Sequence, residues 1–208
     1  MFDYELAAAE RFTQQASHAH ITPDQVGQVL RGGPGTVIAY DRDRQEYTVL
    51  DPDHHGVCEE QRFIAVWGHS DLTEELRLLR TDATGMDQCV KALERTALNG
   101  LSDWFLQGGM PACIADTRLE LYRHGFAFDR HSHRWDGGIR DHLVLVARPW
   151  WHLDVKYADR PGALTVRVRA HLRDLGAHVQ AWTGESGYAA AGEAAADFTR
   201  TLARYLDE

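Results

Sequence analysis

Asp129-Arg130-His131-Ser132-His133 sets one carboxylate and two imidazoles at alternate positions. On an extended chain, residues i, i+2 and i+4 share a face. Asp129, His131 and His133 could therefore give three ligands to a divalent transition metal and leave other positions open to water or substrate. The same polar run, flanked by aromatic strands, also fits a hairpin tip, which would splay both rings into solvent. Asp51, Asp53, His54, His55, Cys58, Glu59 and Glu60 form a second concentration of donors. Its single cysteine has no partner at structural-zinc spacing, and a solvated Pro/Gly loop accounts for it without a metal. His18 and His20 suit the negative end of a helix.

Histidine is the compositional outlier, with 12 in the chain, and its ordinary pKa lies nearest neutrality. His142, His152 and His171 fall on separate strand candidates and could converge across one sheet, although the pairing register is not readable from sequence. Trp135, Trp150, Trp151 and Trp182 gather around the same strands. With His152 and His171 they form a candidate ligand pocket against the sheet, the alternative being ordinary core packing. No nucleophile set stands out: Gly184-Glu185-Ser186-Gly187 lacks the Gly-x-Ser-x-Gly elbow. Arg31-Gly32-Gly33-Pro34-Gly35 follows a helix and precedes a strand, the reverse of a phosphate loop.

Two short resemblances bear on these residues. Gly125-x5-His131-x-His133 resembles the opening of the first cupin motif, and that likeness implies metal ligation by the two histidines. It departs at the glutamate that a cupin places after the second histidine, where only Asp136 and Asp141 stand. Asp159-Arg160-Pro161-Gly162-Ala163-Leu164, with Leu172, Gly176 and Val179 after it, resembles the first strand, loop and helix of an ACT regulatory domain. That likeness implies amino-acid binding at the loop and a helix after the Pro-Gly. The residues themselves predict a strand there.

The elements that would position these side chains read as an α+β fold. Leu164, Val166, Val168, Ala170 and Leu172 alternate with Thr165, Arg167, Arg169 and His171, the period of a half-buried strand. His142–Ala147, His152–Tyr157 and Ala177–Thr183 complete an antiparallel meander over about 142–183, with Arg148-Pro149-Trp150 as one of its short links. A long helix, Met86–Leu106, precedes it, and Ala189–Leu206 is expected to close over it as a C-terminal helix. Between them, Leu119–Tyr122 and Phe126–Asp129 read as strands. The N-terminal α+β part is smaller: helices at Tyr4–Ala16 and from Thr22-Pro23, a hairpin of Thr36–Tyr40 with Tyr47–Leu50, a strand at Arg62–Trp67, and a helix over Leu72–Arg80. A seam near Thr81–Gly85 divides the chain into 1–82 and 83–208, or the whole is one domain. Ala39-Tyr40-Asp41-Arg42 and Ala127-Phe128-Asp129-Arg130 echo one another, as two hairpins with like tips would.

Composition narrows the function. A net charge of −9 and a pI near 5.7 argue against a nucleic-acid partner, because phosphate binding needs a concentrated basic surface. The row Arg167, Arg169 and Arg173 is the local exception, read first as a solvated sheet face. No apolar run approaches membrane-spanning length, and three widely spaced cysteines suit a reducing compartment. The expectation is a cytoplasmic protein that binds a small molecule or a protein partner. The alternatives are a metal-dependent enzyme using Asp129, His131 and His133, or a metal-free enzyme with a sheet histidine as base.

Overall fold

Thr22 and Gln25 close a reciprocal cap. The Thr22 hydroxyl accepts from the Gln25 amide at 3.2 Å, and the Gln25 side chain accepts from the Thr22 amide at 2.9 Å, satisfying two donors a helix start leaves open. In the computed structural model, which describes residues 2–54, 62–81, 85–106, 118–119, 121–135, 138–160, 163–172 and 177–186, this cap opens α2 (Pro23–Gly32) after α1 (Phe2–Ala16). The Gln25 amide group also donates to the carbonyl of Tyr47 at 2.6 Å, tying α2 to the hairpin of β1 (Val37–Asp41) and β2 (Glu46–Leu50). β3 (Phe63–Gly68) pairs on the other side of β1 to give an antiparallel sheet of order β2-β1-β3. α3 (His69–Thr81) follows directly, then α4 (Met86–Leu106).

One apolar core joins these elements. Phe12 and Ala16 of α1, Val26 and Val29 of α2, Ile38 and Tyr40 of β1, and Leu72 and Leu76 of α3 meet Cys89, Leu93, Ala97 and Leu101 of α4. Trp67 is buried among them, and its indole N–H donates to the Leu93 carbonyl at 3.2 Å, as a buried tryptophan requires.

The second sheet is an antiparallel meander of five strands: β4 (Phe126–Trp135), β5 (Gly138–Leu145), β6 (Arg148–Arg160), β7 (Ala163–Leu172) and β8 (Ala177–Ser186), in that spatial order. It is wider than its sequence boundaries. Arg148-Pro149-Trp150 opens β6, with a register irregularity between Val144 and Leu145 opposite it. A bulge beside the first residues of a strand is where proline's missing N–H costs least. Residues 118–119 and 121–123 are helical where a strand was expected. The turn buries Arg118, Leu121 and Tyr122 together, a grouping of helical rather than alternate spacing. Ala163–Leu172 is a strand, as its alternation predicts, so the helix of an ACT-like unit is not present. The C-terminal helix candidate, Ala189–Leu206, lies outside the described residues.

The meander has two unlike faces. Phe128, Leu143 and Leu153 fall in one cross-strand row on the apolar face, with Ala170 and Val179 continuing it. Asp141 shares this face but is wholly buried, because the Arg118 guanidinium grips it with two hydrogen bonds of 2.7 Å and lies over the Phe128 ring. Two parallel bonds to a carboxylate are the geometry that arginine suits best.

The other face meets the N-terminal layer along one margin. A Cβ placed on Gly68, at the end of β3, would fall 2.4 Å from the main-chain oxygen of Asp129 in β4. A Cβ on Gly35 would fall 2.9 Å from that of Ala127. At Gly68 the main chain of β3 thus approaches that of β4 where a side chain would not fit.

Candidate functional site

Where Gly68 meets β4, the strand is bulged. Phe128 pairs with Leu143 and Arg130 with His142, so two steps on β4 match one on β5; a second irregularity lies between Arg130 and His133. Bulges re-aim side chains and recur beside functional sites. Here the first one turns Asp129 toward the polar face. Asp129 is 4% exposed; its carboxylate accepts the Ser70 hydroxyl at 2.6 Å, while its second oxygen lies 3.5 Å from Nδ1 of His152 on β6. Burial alone would raise the Asp129 pKa. The hydrogen bonds from His152 and Ser70, with the charges of His152 and Arg130, outweigh it and hold the carboxyl below its ordinary value.

His152 is thereby held from behind. With Nδ1 facing Asp129, its other ring nitrogen, Nε2, is buried and has no hydrogen-bond partner among the described residues. A carboxylate on one nitrogen fixes the tautomer and presents the other as an acceptor or a ligand. Arg130 reaches from the bulge to Glu74 of α3 at 3.2 Å, with Asp71 at 3.9 Å, so α3 clasps this margin of the sheet from above.

Farther out, the polar face is built by register. His142 and Asp154 are direct cross-strand partners, and Nδ1 of His142 lies 2.5 Å from the Asp154 carboxylate, whose other oxygen accepts from Arg140 at 2.9 Å. Arg140 keeps a buried Nε without a partner among the described residues. In the same cross-strand rows stand Arg169 opposite Asp154, and Lys156 and Arg167 in line with Arg140. His152 is paired with His171, and His171 with His178. His142, His152 and His171 are thus neighbours on one face, and His178 extends the set.

The tryptophans divide. Trp151 pairs with Leu172 and Trp182 with Val168, on the apolar face, whereas Trp135 pairs with Gly138 at the far end of the polar one. Trp150 lies in β6 beside the irregularity at Val144. By register Trp135, His152 and His171 hold positions on one face of the sheet, and Trp151 and Trp182 hold positions on the other. His131 and His133 lie within β4, which runs extended to Trp135 rather than turning at Ser132; their side chains lie outside the described residues, as do Cys58, Glu59 and Glu60. The echo of Asp41 with Asp129 stops at the carboxylate. Asp41 ends its strand and accepts from the amides of Asp43 and Arg44 and from Arg62, which hold its pKa down; Asp129 sits inside a strand.

No family model, curated protein or solved structure matches the chain. Among the described residues no helix is long and apolar enough to cross a membrane, and no three His, Cys, Asp or Glu side chains are grouped to hold a metal ion.

Sequence reasoning missed Ser70, which reads as a helix-start residue, and the meeting of Asp129 with His152. The break in alternation at Asp129-Arg130, two consecutive polar residues after Phe126-Ala127-Phe128, is the only sign of the bulge that joins them.

Because its folded-state pKa is lowered, the Asp129 carboxylate contributes stability that is complete above the unfolded value of about 3.9 and is lost as pH falls through the folded one. Asp129→Asn should therefore destabilise the protein at pH 7 by about 1–3 kcal/mol, and the gap from wild type should narrow below about pH 4. Urea unfolding at a series of pH values checks this; a gap that stays constant down to the acid limit would contradict it.

Proposed function

We propose that this protein binds a small anionic molecule, carrying carboxylate or phosphate groups, on the polar face of the five-stranded sheet. The observation that carries the reading is the register of β5, β6 and β7. It gathers Arg140, Lys156, Arg167 and Arg169 into adjoining cross-strand rows beside His142, His152 and His171, in a chain whose net charge is −9. Against that overall charge, a local cationic surface is costly to assemble by chance and attracts anions selectively. Arginine forks match planar carboxylate and tetrahedral phosphate oxygens. Asp154 offsets only part of this charge, through Arg140 and His142.

The test is thermal unfolding of the full chain with inorganic phosphate, pyrophosphate or citrate at constant ionic strength. Binding to the folded state stabilises it by about 2.7 kcal/mol when ligand is at 100 times its Kd. At least one of the three should raise the midpoint in a saturable way, and the double variant Arg167→Ser/Arg169→Ser should lose that rise. The reading is overturned if no probe shifts the midpoint, or if the double variant responds as wild type does.

A second reading, enzymatic use of His152 as a general base, is favoured by one specific observation: Asp129 backs Nδ1 while Nε2 is buried and unpartnered among the described residues. A histidine held in this way can accept a proton from a molecule seated on the neighbouring rows.

A further inference from the structure

Nδ1 of His152 faces across β5 to Asp129 on β4, 3.5 Å away. An ionised carboxylate can only accept, so Nδ1 carries the hydrogen of the neutral ring. Nε2 is left as a buried acceptor with no partner among the described residues. The two nitrogens of an imidazole diverge, which directs Nε2 away from Asp129, and β7 is the strand on the other side of β6. What Nε2 needs depends on its charge state: a neutral ring needs a donor there, a protonated ring an acceptor. An anion seated on the adjoining rows offers acceptors.

We infer that the anion is bound together with a proton, which Nε2 of His152 takes from solvent and donates in a hydrogen bond to the ligand. The imidazolium then lies between two acceptors, Asp129 and the anion. Nδ1 keeps its own hydrogen, and no covalent bond forms to the ligand. This assignment rests on the proposed anion site and names the buried residue that recognises the ligand's charge.

The surroundings favour the charged ring only when the anion is present. From β4 come Asp129 and Arg130, the latter lying 3.2 Å from Glu74 and 3.9 Å from Asp71 of α3. Ser70 of α3 bonds the other oxygen of Asp129. On β5 the position paired with His152 is Val144; His142, in the next row, lies against Asp154 of β6, which also accepts from Arg140. On β7 the paired position is His171, and Arg169 stands opposite Asp154. Among the described residues Asp129 is thus the carboxylate that faces His152. It balances one imidazolium, but a buried Nε2–H without an acceptor offsets that gain. The anion supplies the acceptor, and by linkage the proton tightens the anion in turn.

The experiment is nitrogen NMR of the full chain labelled in its histidine rings, titrated at about pH 7.5 with inorganic phosphate, pyrophosphate or citrate. One ring should pass from the neutral to the doubly protonated form, saturating with the same Kd as the thermal shift. That change should be absent from His152→Gln, whose amide keeps a donor but cannot titrate, and present in His142→Gln. Across one pH unit above this, wild-type affinity should fall by up to about tenfold, and that of His152→Gln by less than about threefold. Circular dichroism identifies a variant that fails to fold; the wild-type spectra and His142→Gln then decide. Saturable anion binding with no ring changing its protonation, or a change lost from His142→Gln rather than from His152→Gln, overturns the inference and leaves the anion site standing. No binding by any of the three anions removes both.

Discussion

Asp141→Ala should destabilise the protein by about 3–5 kcal/mol, the cost of removing one member of a buried ion pair. Both side chains are completely inaccessible, and the two hydrogen bonds between them are 2.7 Å long. Removing the carboxylate takes both of these hydrogen bonds from a guanidinium that cannot shed its charge and that lies against the Phe128 ring. The reference stability of a domain is only about 5–15 kcal/mol, so this one change threatens folding at physiological temperature. The paired replacement Arg118→Met/Asp141→Leu should recover most of the loss, since an apolar pair of similar volume avoids the desolvation of two charges. Urea unfolding of the single and double variants decides the matter. A single variant within about 1 kcal/mol of wild type would mean that the pair is worth no more than a surface ion pair.

Gly68→Ala should cost about 2–3 kcal/mol, at the upper end of what one added methyl does to a packed interior. The new carbon would lie 2.4 Å from the carbonyl oxygen of Asp129, 2.7 Å from its carbonyl carbon and 2.9 Å from the Cα of Arg130. All three are main-chain atoms of a paired strand, and none can rotate away as the end of a side chain could. Relief requires β3 and β4 to separate, which pulls Ser70, two residues beyond Gly68, from the Asp129 carboxylate. The variant should therefore lose stability and also blunt the acid sensitivity that Asp129 confers. Chemical unfolding at pH 7 and pH 3 reads both effects; a loss below about 0.5 kcal/mol, the size of an ordinary surface substitution, would mean that the two layers part freely.

The sequence made the elements legible wherever one local rule sufficed. The alternation of Leu164 through Leu172, the Thr22–Gln25 cap and the repeat of Cys89, Leu93, Ala97 and Leu101 each identify their element unaided, and each element is present. Leu119–Tyr122 and Arg148-Pro149-Trp150 misled because local pattern was overruled. A buried arginine seeking Asp141 favours a helical turn in the first case, and a bulge accommodates the proline in the second. The site itself depends on pairing register. His142, His152 and His171 were individually visible, but their adjacency follows from which residue of β5 faces which of β6 and β7, and a slip of one position would have sent every histidine to the apolar face. Ser70 was out of reach for another reason: its partner is 59 residues away, and no periodicity spans that distance.

That separation has a kinetic side. Every strand of the large sheet pairs with its predecessor in the chain, so the meander can zip up hairpin by hairpin, each closure involving a short loop at little entropic cost. The Ser70–Asp129 hydrogen bond can form only once β4 has met the layer that holds α3. Folding therefore has a natural sequence in which the histidine rows are laid down early, and the buried carboxylate behind His152 is locked in place when the two layers dock.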